Sequence, residues 1–396
     1  MSRLWDKGAP LDERVLAYSA GEDYALDERL VAYDVRASIA HAEMLAAQGL
    51  LSGPDLTQLR DALQALGAAH ARGEWHVQLA DEDGQTALER ALTERLGALG
   101  GRIHLGRSRN DQVLTALRLY LRDASDALAA QTGQMSAALE RLIARQGSVE
   151  LPGYTHMQQA MPSSVALWAG GFAAELCDDA EGIRAVRRRL DRNPLGSAAG
   201  YGTPGLPLDR ARTTRALGFA ETQEPVTAVQ LSRGKAEAQL LFELSLLMQD
   251  LSRLSSDLLL FYTAEFAFIE LPDAFTTGSS IMPQKRNPDV LELTRGRSAT
   301  LLGCLTEALA ICAKLPSGYQ RDLQLLKFPL FRGIDVAGQT LGIVAALVDA
   351  LRFTPERIRI DPAVHAAAQA YALVLKEGIP FREAYRRIAQ QLAGKE

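Results

Sequence analysis

Residues 235–271 read KAEAQLLFELSLLMQDLSRLSSDLLLFYTAEFAFIEL, a stretch with neither glycine nor proline. Its apolar residues recur at alternating steps of four and three, at Leu240, Leu244, Leu247, Leu251, Leu254, Leu258 and Phe261. A coiled-coil-like helical seam requires this spacing. A single helix over the whole stretch would be about 50 Å long, at roughly 1.5 Å per residue. The stretch therefore predicts a helix much longer than those of most globular proteins.

Other helical patterns place similar helices in the middle of the chain. A second seam starts at Leu114 and reaches Leu142, with the polar Gln131 and the flexible Gly133 in its course. Helical spacing also covers residues 164–192 and 288–314, whereas the alternation typical of a β-strand is nearly absent. We expect an all-α fold with a central bundle of long helices.

These patterns divide the chain into three regions. We expect an N-terminal helical domain at residues 1–106, a central long-helix bundle at residues 107–353 and a short C-terminal helical domain at residues 354–396. The seams alone fit core packing within one chain. Helices of this length, however, expose more apolar surface than their own neighbours usually cover. We therefore favour an oligomer in which helices of several copies share one core.

The composition excludes several classes of protein. The chain has 396 residues, of which 47% are hydrophobic and 23% charged, and these values are ordinary for a globular protein. Its net charge of -5 offers no broad basic surface to a nucleic acid. The three scattered cysteines, Cys177, Cys304 and Cys312, are typical of a reducing cytosol rather than of a disulfide framework.

Neither a targeting segment nor a membrane span is expected. The first residues, MSRLWDKGAPLDERV, carry charges where a signal peptide needs an apolar stretch. Residues 258–268 form the most apolar stretch, but Glu265 interrupts it and it is far shorter than the roughly 20 residues of a membrane helix. No spacing of His, Cys and carboxylate residues fits a metal site. These features predict a soluble, cytoplasmic protein.

Polar clusters lie at the ends of the helical patterns, where loops present functional groups. The sharpest, residues 276–289, reads TTGSSIMPQKRNPD, with Asn287 as the predicted N-cap and Pro288 as the first residue of the next helix. Such a helix start offers N–H donors to an anion, and Glu292 lies one turn inside it. Lys285 is one of only seven lysines among the 43 basic residues, which favours a specific role for its amine.

Two further clusters carry groups for acid–base chemistry or for binding. Residues 153–159 read GYTHMQQ and place His156, a natural general acid or base, in a turn before a long helix. Residues 316–327 read PSGYQRDLQLLK and look like a turn that enters another helix. Each cluster also has a purely structural interpretation, as a hinge, a turn or a hydrogen-bonded histidine.

A fourth cluster opens the helix of the second seam. Residues 106–112 read GRSRNDQ, in which Ser108 and Asp111 form a capping box for a helix that starts at Arg109. The box does not explain why two arginines crowd a helix start, where positive side chains oppose the helix dipole. We therefore expect an anion near Arg107 and Arg109.

These segments resemble a known family. The run GSSIMPQKRNP at residues 278–288 is similar to the signature of the fumarase/aspartase superfamily, whose members cleave a C–N or C–O bond and release fumarate. The runs RSRNDQ at 107–112, YQRDLQ at 319–324 and GIPFREA at 378–384 resemble its argininosuccinate lyase branch. The resemblance covers nearly the whole chain, from Trp5 to Tyr385.

The resemblance implies both an assembly and a reaction. It implies a three-domain α protein whose central helices form a shared bundle in a homotetramer, with each active site built from segments of three subunits. The reaction would be the anti β-elimination of argininosuccinate to arginine and fumarate, a step of arginine biosynthesis that needs no metal or organic cofactor. Neither a nucleic acid nor a membrane is implied as a partner.

The resemblance also implies roles for individual residues. Ser279 matches the base, His156 the acid that assists the leaving guanidino nitrogen, Glu292 the carboxylate partner of that histidine, and Lys285 the positive charge beside the dianionic aci-carboxylate. Residues that match substrate-binding positions near the carboxylates are Ser108, Arg109, Asn110, Thr155 and Asn287. Those that match the amino-acid side of the substrate are Asp27, Tyr319, Gln324 and Lys327.

This chain departs from the branch pattern at four positions. Gln85 stands where the branch usually has His, and Gln159 and Met161 replace the usual Arg and Gln after the His156 segment. Asp23 occupies the position of a Ser expected near the substrate amino group. Two alternatives therefore stay open: another fumarate-releasing lyase of the adenylosuccinate or aspartate type, and a non-enzymatic relative of the lens-crystallin kind.

Overall fold

The computed structural model describes residues 12–394, and most of them are helical. The prediction of an all-α fold with unusually long helices is confirmed. The first 11 residues, which include the start of the predicted N-terminal domain and most of the charged N-terminus, lie outside the described residues. The α-helices of the described chain are Glu13–Ala20, Asp23–Leu26, Val31–Ala47, Gly53–Ala71, Gly84–Leu96, Ala98–Gly101, Arg109–Gln146, Val165–Ala185, Arg187–Leu190, Arg210–Leu217, Thr227–Leu231, Lys235–Tyr262, Asp289–Cys312, Lys327–Ala350, Ala366–Glu377 and Phe381–Ala393.

Short elements connect these helices. The 3₁₀ segments are Asp27–Leu30, Leu79–Asp81, Arg102–His104, Asp273–Phe275, Arg321–Leu326, Pro355–Arg357 and Pro362–His365. Strand Glu150–Thr155 pairs antiparallel with Gln158–Ser164. Three two-residue pairs complete the strands between residues 12 and 394: Arg192–Asn193 with Glu221–Thr222, Ile269–Glu270 with Arg352–Phe353, and Thr277–Gly278 with Arg286–Asn287.

The described chain divides into two compact units. The first comprises the described residues up to Ala129 together with Gly182–Ser245 and Leu301–Asp335. Its largest apolar cluster is formed by the helices Val31–Ala47, Gly53–Ala71 and Gly84–Leu96, with buried leucines such as Leu45, Leu59, Leu63, Leu88 and Leu92. Side-chain caps start two of these helices, since Ser52 Oγ accepts from Asp55 N at 3.2 Å and Asp83 Oδ1 accepts from Thr86 N at 2.8 Å.

The second unit comprises Ala130–Glu181, Leu246–Thr300 and Val336–Glu396, of which residues up to 394 are described. Trp168 lies at the centre of its aromatic cluster, with ring centroids 5.6 Å from Phe261 and 5.7 Å from Phe353. The Trp168 indole N–H donates to Asp257 Oδ2 at 2.9 Å, so the half-buried ring has its polar partner. The division of the sequence into three domains stays a prediction.

Both predicted seams are buried. All seven residues of the first, from Leu240 to Phe261, are at most 5% exposed, and the second is buried at Leu114, Leu117, Leu121, Leu128, Met135, Ala138 and Leu142. Gly133 does not interrupt the helix Arg109–Gln146. The seam pattern therefore identifies the sides of the two helices that face apolar neighbours.

The first of these helices is shorter than predicted. It ends at Tyr262, and the chain turns back so that Phe268 N donates to Phe261 O at 2.8 Å. The Phe261 and Phe268 rings pack with their centroids 5.6 Å apart, and Ala267 adopts a φ of 49° to allow the turn. Aromatic packing after the turn therefore outweighs the helical pattern of residues 263–271.

The helix after the signature loop also starts later than predicted. It begins at Asp289, whereas Asn287 belongs to a two-residue strand paired with Thr277. The Pro288 carbonyl accepts the first backbone bonds, from Leu291 N at 3.0 Å and Glu292 N at 3.3 Å. Strand pairing holds Asn287 in the loop, so it does not cap the helix.

One described helical segment, Arg321–Ala350, is long and apolar enough to cross a membrane by length and composition alone, with a mean hydropathy of 1.3 in its most apolar window. Half of that window is buried inside the protein. The choice of residues 258–268 as the most apolar stretch was therefore wrong. Core helices pass the same test, because burial selects the same residue types as lipid does.

Replacing a seam leucine tests whether the seam stabilises the fold. We expect Leu247→Ala to lower the free energy of unfolding by about 2–5 kcal/mol, because Leu247 is fully buried and its truncation leaves a cavity. Gln249→Ala, two residues on at an exposed position of the same helix, is the matched control and is expected to change it by less than about 0.5 kcal/mol. Urea unfolding of both variants measures the difference, and equal effects would contradict the assignment.

Candidate active site

A polar cavity of about 130 Å³ lies in the first unit. Since one water needs about 10–15 Å³ of such space, the cavity has room for roughly ten waters or a ligand with a similar number of heavy atoms. Its wall is formed by Asp23, Asp83, Gln85, Arg109, Asn110, Val113, Arg233, Tyr319, Arg321, Gln324 and Lys327. Five of the predicted substrate-binding residues are thus brought together: Arg109, Asn110, Tyr319, Gln324 and Lys327.

Lys327 is held between two carboxylates at the base of this wall. Its Nζ lies 2.5 Å from Asp23 Oδ1 and 2.5 Å from Asp27 Oδ1. All three side chains are buried, and Asp27 lies behind the wall, where its Oδ2 accepts from Gly84 N at 2.9 Å. We call Asp23, Asp27 and Lys327 the acid–lysine triad. With every member ionised it carries one net negative charge.

The electrostatics of the triad follow from burial. Burial raises the pKa of Asp23 to about 7 and raises that of Asp27 in the same direction, although the nearby ammonium opposes both shifts. Burial alone lowers the pKa of Lys327, but the two carboxylates outweigh it and raise that pKa above its ordinary value. The lysine therefore stays charged, while Asp23 titrates near neutral pH.

A sharp turn fits against Asp27 and presents the next acidic residues. Glu82 has a φ of 71°, and a Cβ added to Gly84 would lie 3.3 Å from the Asp27 Cβ. Only glycine allows the chain to approach Asp27 this closely without a shift. Asp83, which follows the turn, pairs with Arg109 through an Oδ2–Nη1 distance of 2.7 Å.

The expected anions near Arg107 and Arg109 are thus partly supplied by the protein itself. Arg107 points inward, is buried and donates to Ser38 Oγ at 2.8 Å. Burial lowers its pKa, and the Asp34 carboxylate opposes that shift. Arg107 is therefore a structural cation, while Arg109 lines the cavity.

Asp34 connects this buried cation to the cavity. It accepts from Gln85 Nε2 at 3.2 Å and from Gln112 Nε2 at 2.9 Å, and burial raises its pKa to about 6. Gln85, one of the departures from the branch pattern, is therefore a wall residue whose amide is fixed from behind.

Helix Arg109–Gln146 starts as the sequence predicts. Ser108 N donates to Asp111 Oδ1 at 2.9 Å, and Ser108 Oγ accepts from Asn110 N at 3.3 Å. Asp111 Oδ2 also accepts from Gly196 N and Ala198 N at 2.9 and 2.8 Å. These bonds fix the helix start, and with it the direction of Arg109 and Asn110 toward the cavity wall.

The opposite part of the wall comes from the 3₁₀ segment Arg321–Leu326 and the turn before it. Gln324 Nε2 donates to Ser19 O at 2.9 Å, and Arg321 Nη2 donates to the same oxygen at 2.9 Å. Arg321 also lies 3.4 Å from Glu82 Oε2. The predicted turn into a helix is therefore correct, and its side chains anchor the segment to the N-terminal helix.

His156 lies in the second unit, at the tip of the hairpin Glu150–Thr155/Gln158–Ser164. The predicted turn is a tight two-residue turn, since His156 and Met157 have φ values of 53° and 61° between the paired Thr155 and Gln158. Such backbone conformations are strained for residues other than glycine and concentrate at functional sites. His156 and Thr155 are both exposed in the single chain.

The signature loop is also in the second unit, between two short paired strands. Ser279 Oγ accepts backbone N–H bonds from Met282 at 3.1 Å and from Ile281 at 3.3 Å. Lys285 is exposed, and Asn287 Nδ2 lies 3.5 Å from Gly278 O. The loop therefore points two N–H donors at the hydroxyl oxygen of Ser279, the arrangement needed if that oxygen is to carry negative charge.

Glu292 is exposed on the first turn of the helix Asp289–Cys312. Within the described part of a single chain it makes no hydrogen bond or ion pair with His156. The predicted pairing of these two residues stays a prediction, and it requires Glu292 and His156 from different copies if each copy keeps this conformation.

The sequence patterns assign no role to four residues of the cavity wall, namely Asp83, Val113, Arg233 and Arg321. Arg321 belongs to the polar run at residues 316–327, whereas Asp83, Val113 and Arg233 lie outside the four polar clusters. Arg233 lies in a Ser-Arg-Gly turn directly before a long helix, the same signal that identified Arg109. A charged residue at a helix start therefore marks both sides of the cavity.

Gln159, which also departs from the branch pattern, does not line this cavity but holds the hairpin against residues 359–361. Its Nε2 donates to Arg359 O at 2.9 Å, and its Oε1 accepts from Asp361 N at 2.8 Å. The amide satisfies one acceptor and one donor of the backbone at once, which an arginine cannot do. Gln159 thereby ties the strand after His156 to the segment before the helix Ala366–Glu377.

Removal of the lysine tests the acid–lysine triad. We expect Lys327→Met to lower the free energy of unfolding by about 3–5 kcal/mol near pH 8, because it leaves two buried carboxylates without their cation. The loss should shrink as the pH falls. The folded-state pKa values of Asp23 and Asp27 lie above their ordinary value of 3.8, so folded carboxyls take up protons at a higher pH than unfolded ones.

Unfolding by urea at several pH values between about 8 and 5 measures this difference. Lys376→Met, at an exposed position of the helix Ala366–Glu377, is the matched control and should have little effect at any pH. A loss for Lys327→Met that does not depend on pH would contradict the triad as the cause.

Comparisons with known proteins agree with the geometry. A family model described as lyase matches residues 13–303. An argininosuccinate lyase of Sorangium cellulosum (strain So ce56) is 49% identical over 393 residues, 99% of this chain and 91% of the relative. One of Xylella fastidiosa (strain 9a5c) is 43% identical over 98% of this chain and 87% of the relative.

Solved structures give the same result. A crystal structure of EDDS lyase in complex with formate superposes with a TM-score of 0.81 at 26% identity, over 98% of this chain and 77% of that one. Matches of this extent in both sequence and structure identify the family, because they include the cavity wall, the hairpin and the signature loop together. The chain belongs to the argininosuccinate lyase family of the fumarase/aspartase superfamily.

Proposed function

We propose that the protein is a carbon–nitrogen lyase that converts argininosuccinate to arginine and fumarate. The similarity of nearly the whole chain to curated argininosuccinate lyases supports the substrate. The observation that carries the mechanism is the pair of backbone N–H donors on Ser279 Oγ. The reaction places it in arginine biosynthesis, with no cofactor required by the steps below.

Ser279 is the proposed base. It takes a proton from the carbon next to a carboxylate of the succinyl part, and the resulting dianionic aci-carboxylate needs positive charge and donors around it. A serine hydroxyl is a very weak acid, so its oxygen can act as a base only where its negative charge is stabilised. The N–H groups of Ile281 and Met282 offer that stabilisation, and Lys285 and Asn287 of the same loop stabilise the intermediate.

His156 is the proposed acid. When the C–N bond breaks, the leaving guanidino nitrogen receives a proton from the imidazole, so the overall reaction conserves protons and electrons. The exposed hairpin tip can present His156 to a site that another copy completes, with Glu292 of a further copy as its carboxylate partner. An adjacent carboxylate orients the ring and favours its protonated form.

The substrate contacts fall into two proposed groups. Ser108, Arg109, Asn110 and Thr155 bind near the carboxylates of the succinyl part. Lys327, Tyr319, Gln324 and, through Lys327, Asp27 hold the amino-acid side. Arg109 supports this division, since a guanidinium at the cavity wall is suited to a planar carboxylate even though Asp83 already engages one of its nitrogens.

We further propose a cytoplasmic homotetramer with the three domains described above and with neither nucleic acid nor membrane as a partner. Large apolar side chains that are exposed on the long helices support an assembly, because such residues rarely stay in water when they recur along a helix. They include Leu167, Phe242, Leu246, Leu293, Leu302, Leu309 and Ile343.

An activity assay tests the reaction. Purified protein mixed with argininosuccinate should produce fumarate, measured by its ultraviolet absorbance, and Ser279→Ala should lower kcat by about 10²–10⁴-fold because it removes the base. Ser280→Ala, the adjacent exposed serine, is the matched control and should keep most of the activity. Fumarate release only from another succinyl compound, or none from any, would overturn the proposed function in favour of a different lyase or a non-enzymatic relative.

A mixing experiment tests the shared site. His156→Asn and Ser279→Ala should each be inactive alone, but oligomers assembled from both chains should recover activity if one site takes these residues from different copies. Ser279→Ala mixed with Lys285→Ala is the control, since both changes lie in one loop and no recovery is expected. Sedimentation should give the mass of four chains. A fully active monomer would contradict the shared site.

A further inference from the structure

The cavity wall carries one group with an unbalanced charge and one buried cation with N–H donors that lack hydrogen-bond partners. The first is the acid–lysine triad, in which one ammonium faces two carboxylates. The other acidic wall residue is paired, since Asp83 lies 2.7 Å from Arg109 Nη1. The excess negative charge of the triad faces the cavity at Asp23, the triad carboxylate that lines it, and it suits a small cation with several N–H donors.

The second group is the Arg233 guanidinium. Its side chain is only 2% exposed, yet it makes one long hydrogen bond, from Nη2 to Leu323 O at 3.4 Å. The Glu237 carboxylate forms an ion pair with it, with Oε1 3.9 Å from Nε, but this distance is too long for a hydrogen bond, and Nε and Nη1 have no hydrogen-bond partner. Buried guanidinium nitrogens without partners are costly, so the site is suited to an anion that would accept from them.

We propose that Asp23 and Arg233 together recognise the zwitterionic end of an α-amino acid, with Asp23 binding the α-ammonium and Arg233 the α-carboxylate. This inference rests on the proposed function, in which the amino-acid side of the substrate occupies this cavity. Asp23 is then a specificity-determining residue of this chain. A neutral serine at that position would leave the lysine with one carboxylate and no charge for the ligand.

The proposal explains why two acidic residues share one lysine. A second buried carboxylate is unfavourable in the empty cavity, and burial accordingly raises the pKa of Asp23 to about 7. An entering ammonium supplies the missing positive charge. Ligands with an α-ammonium should therefore bind more weakly as Asp23 takes up a proton, whereas ligands without one should not.

Other charges face Asp23 from each neighbouring element. They are Asp27 on its own segment, Lys327 at the start of the helix Lys327–Ala350, and Asp83 after the Glu82 turn. Arg109, Arg321 and Arg233 complete the charged wall. Since burial raises the pKa of Asp23 to about 7, Asp23 is expected to change charge between about pH 8 and pH 6.

Three ligands distinguish the proposed contact of Asp23 with the α-ammonium from that of Arg233 with the α-carboxylate. Arginine has both groups, agmatine lacks the α-carboxylate, and 5-guanidinopentanoate lacks the α-ammonium. Calorimetry on the purified full chain should show that Asp23→Asn weakens arginine and agmatine by about 10-fold or more and leaves 5-guanidinopentanoate unchanged. Arg233→Met should weaken arginine and 5-guanidinopentanoate similarly and leave agmatine unchanged. A merely structural role of either residue would weaken all three ligands alike.

Two controls complete the test. Glu22→Gln, next to Asp23 but exposed, removes the same charge outside the cavity and should change no affinity. If Asp23→Asn does not fold, Asp23→Ser and a pH series on the parent protein give the same answer. In the parent, the preference for arginine over 5-guanidinopentanoate should fall several-fold from about pH 8 to pH 6.

Each result has a definite meaning. Equal losses for all three ligands in Asp23→Asn, or a preference in the parent that does not change with pH, would overturn the inference. Binding is measured without turnover, so the outcome is separate from that of the activity assay. A parent that releases fumarate from argininosuccinate but binds 5-guanidinopentanoate as tightly as arginine would retain the proposed function and overturn the role of Asp23.

Discussion

The contact of Lys327 with Asp23 and Asp27 joins parts of the chain that are 300 residues apart. It fixes the start of the helix Lys327–Ala350 against the N-terminal helices, and the wall of the cavity follows from that placement. Burying three charged groups is expensive, and apolar residues of similar size would often stabilise a fold equally well. Because the triad lies at the cavity, its retention is better explained by ligand recognition than by stability.

The proposed binding groups and the proposed reacting groups differ in how far a single chain holds them in place. Most of the cavity side chains are buried or half-buried, and several are held from behind by backbone or carboxylate partners, as Gln85 is by Asp34 and Gln324 by Ser19. His156 and Lys285 instead stay exposed in the single chain. Exposed groups cannot exclude water or exploit a low dielectric. The proposed chemistry therefore needs surfaces that cover His156 and Lys285, whereas the proposed binding of one end of the substrate needs only one chain.

The sequence predicts what depends on local periodicity or on contiguous motifs. It predicts the two buried seams and the helix start at Arg109, because each is a spacing or a run that can be read directly. Five residues of the cavity wall follow only from the resemblance of such runs to a known family. The sequence does not predict the end of the helix at Tyr262, which depends on aromatic packing with Phe268, nor the hairpin at His156. It also misses Arg233, whose place in the wall depends on segments about 100 residues or more distant in sequence.

Two departures from the branch pattern, Asp23 and Gln85, line the same cavity, and they change its charge in one direction. A carboxylate in place of a hydroxyl adds a negative charge near neutral pH. A glutamine in place of a histidine removes a side chain that could become positive there. A histidine at position 85 could become protonated, supply the positive charge that the triad lacks, and so compete with the ligand. With the neutral amide fixed on Asp34, the missing positive charge is left for the ligand to bring.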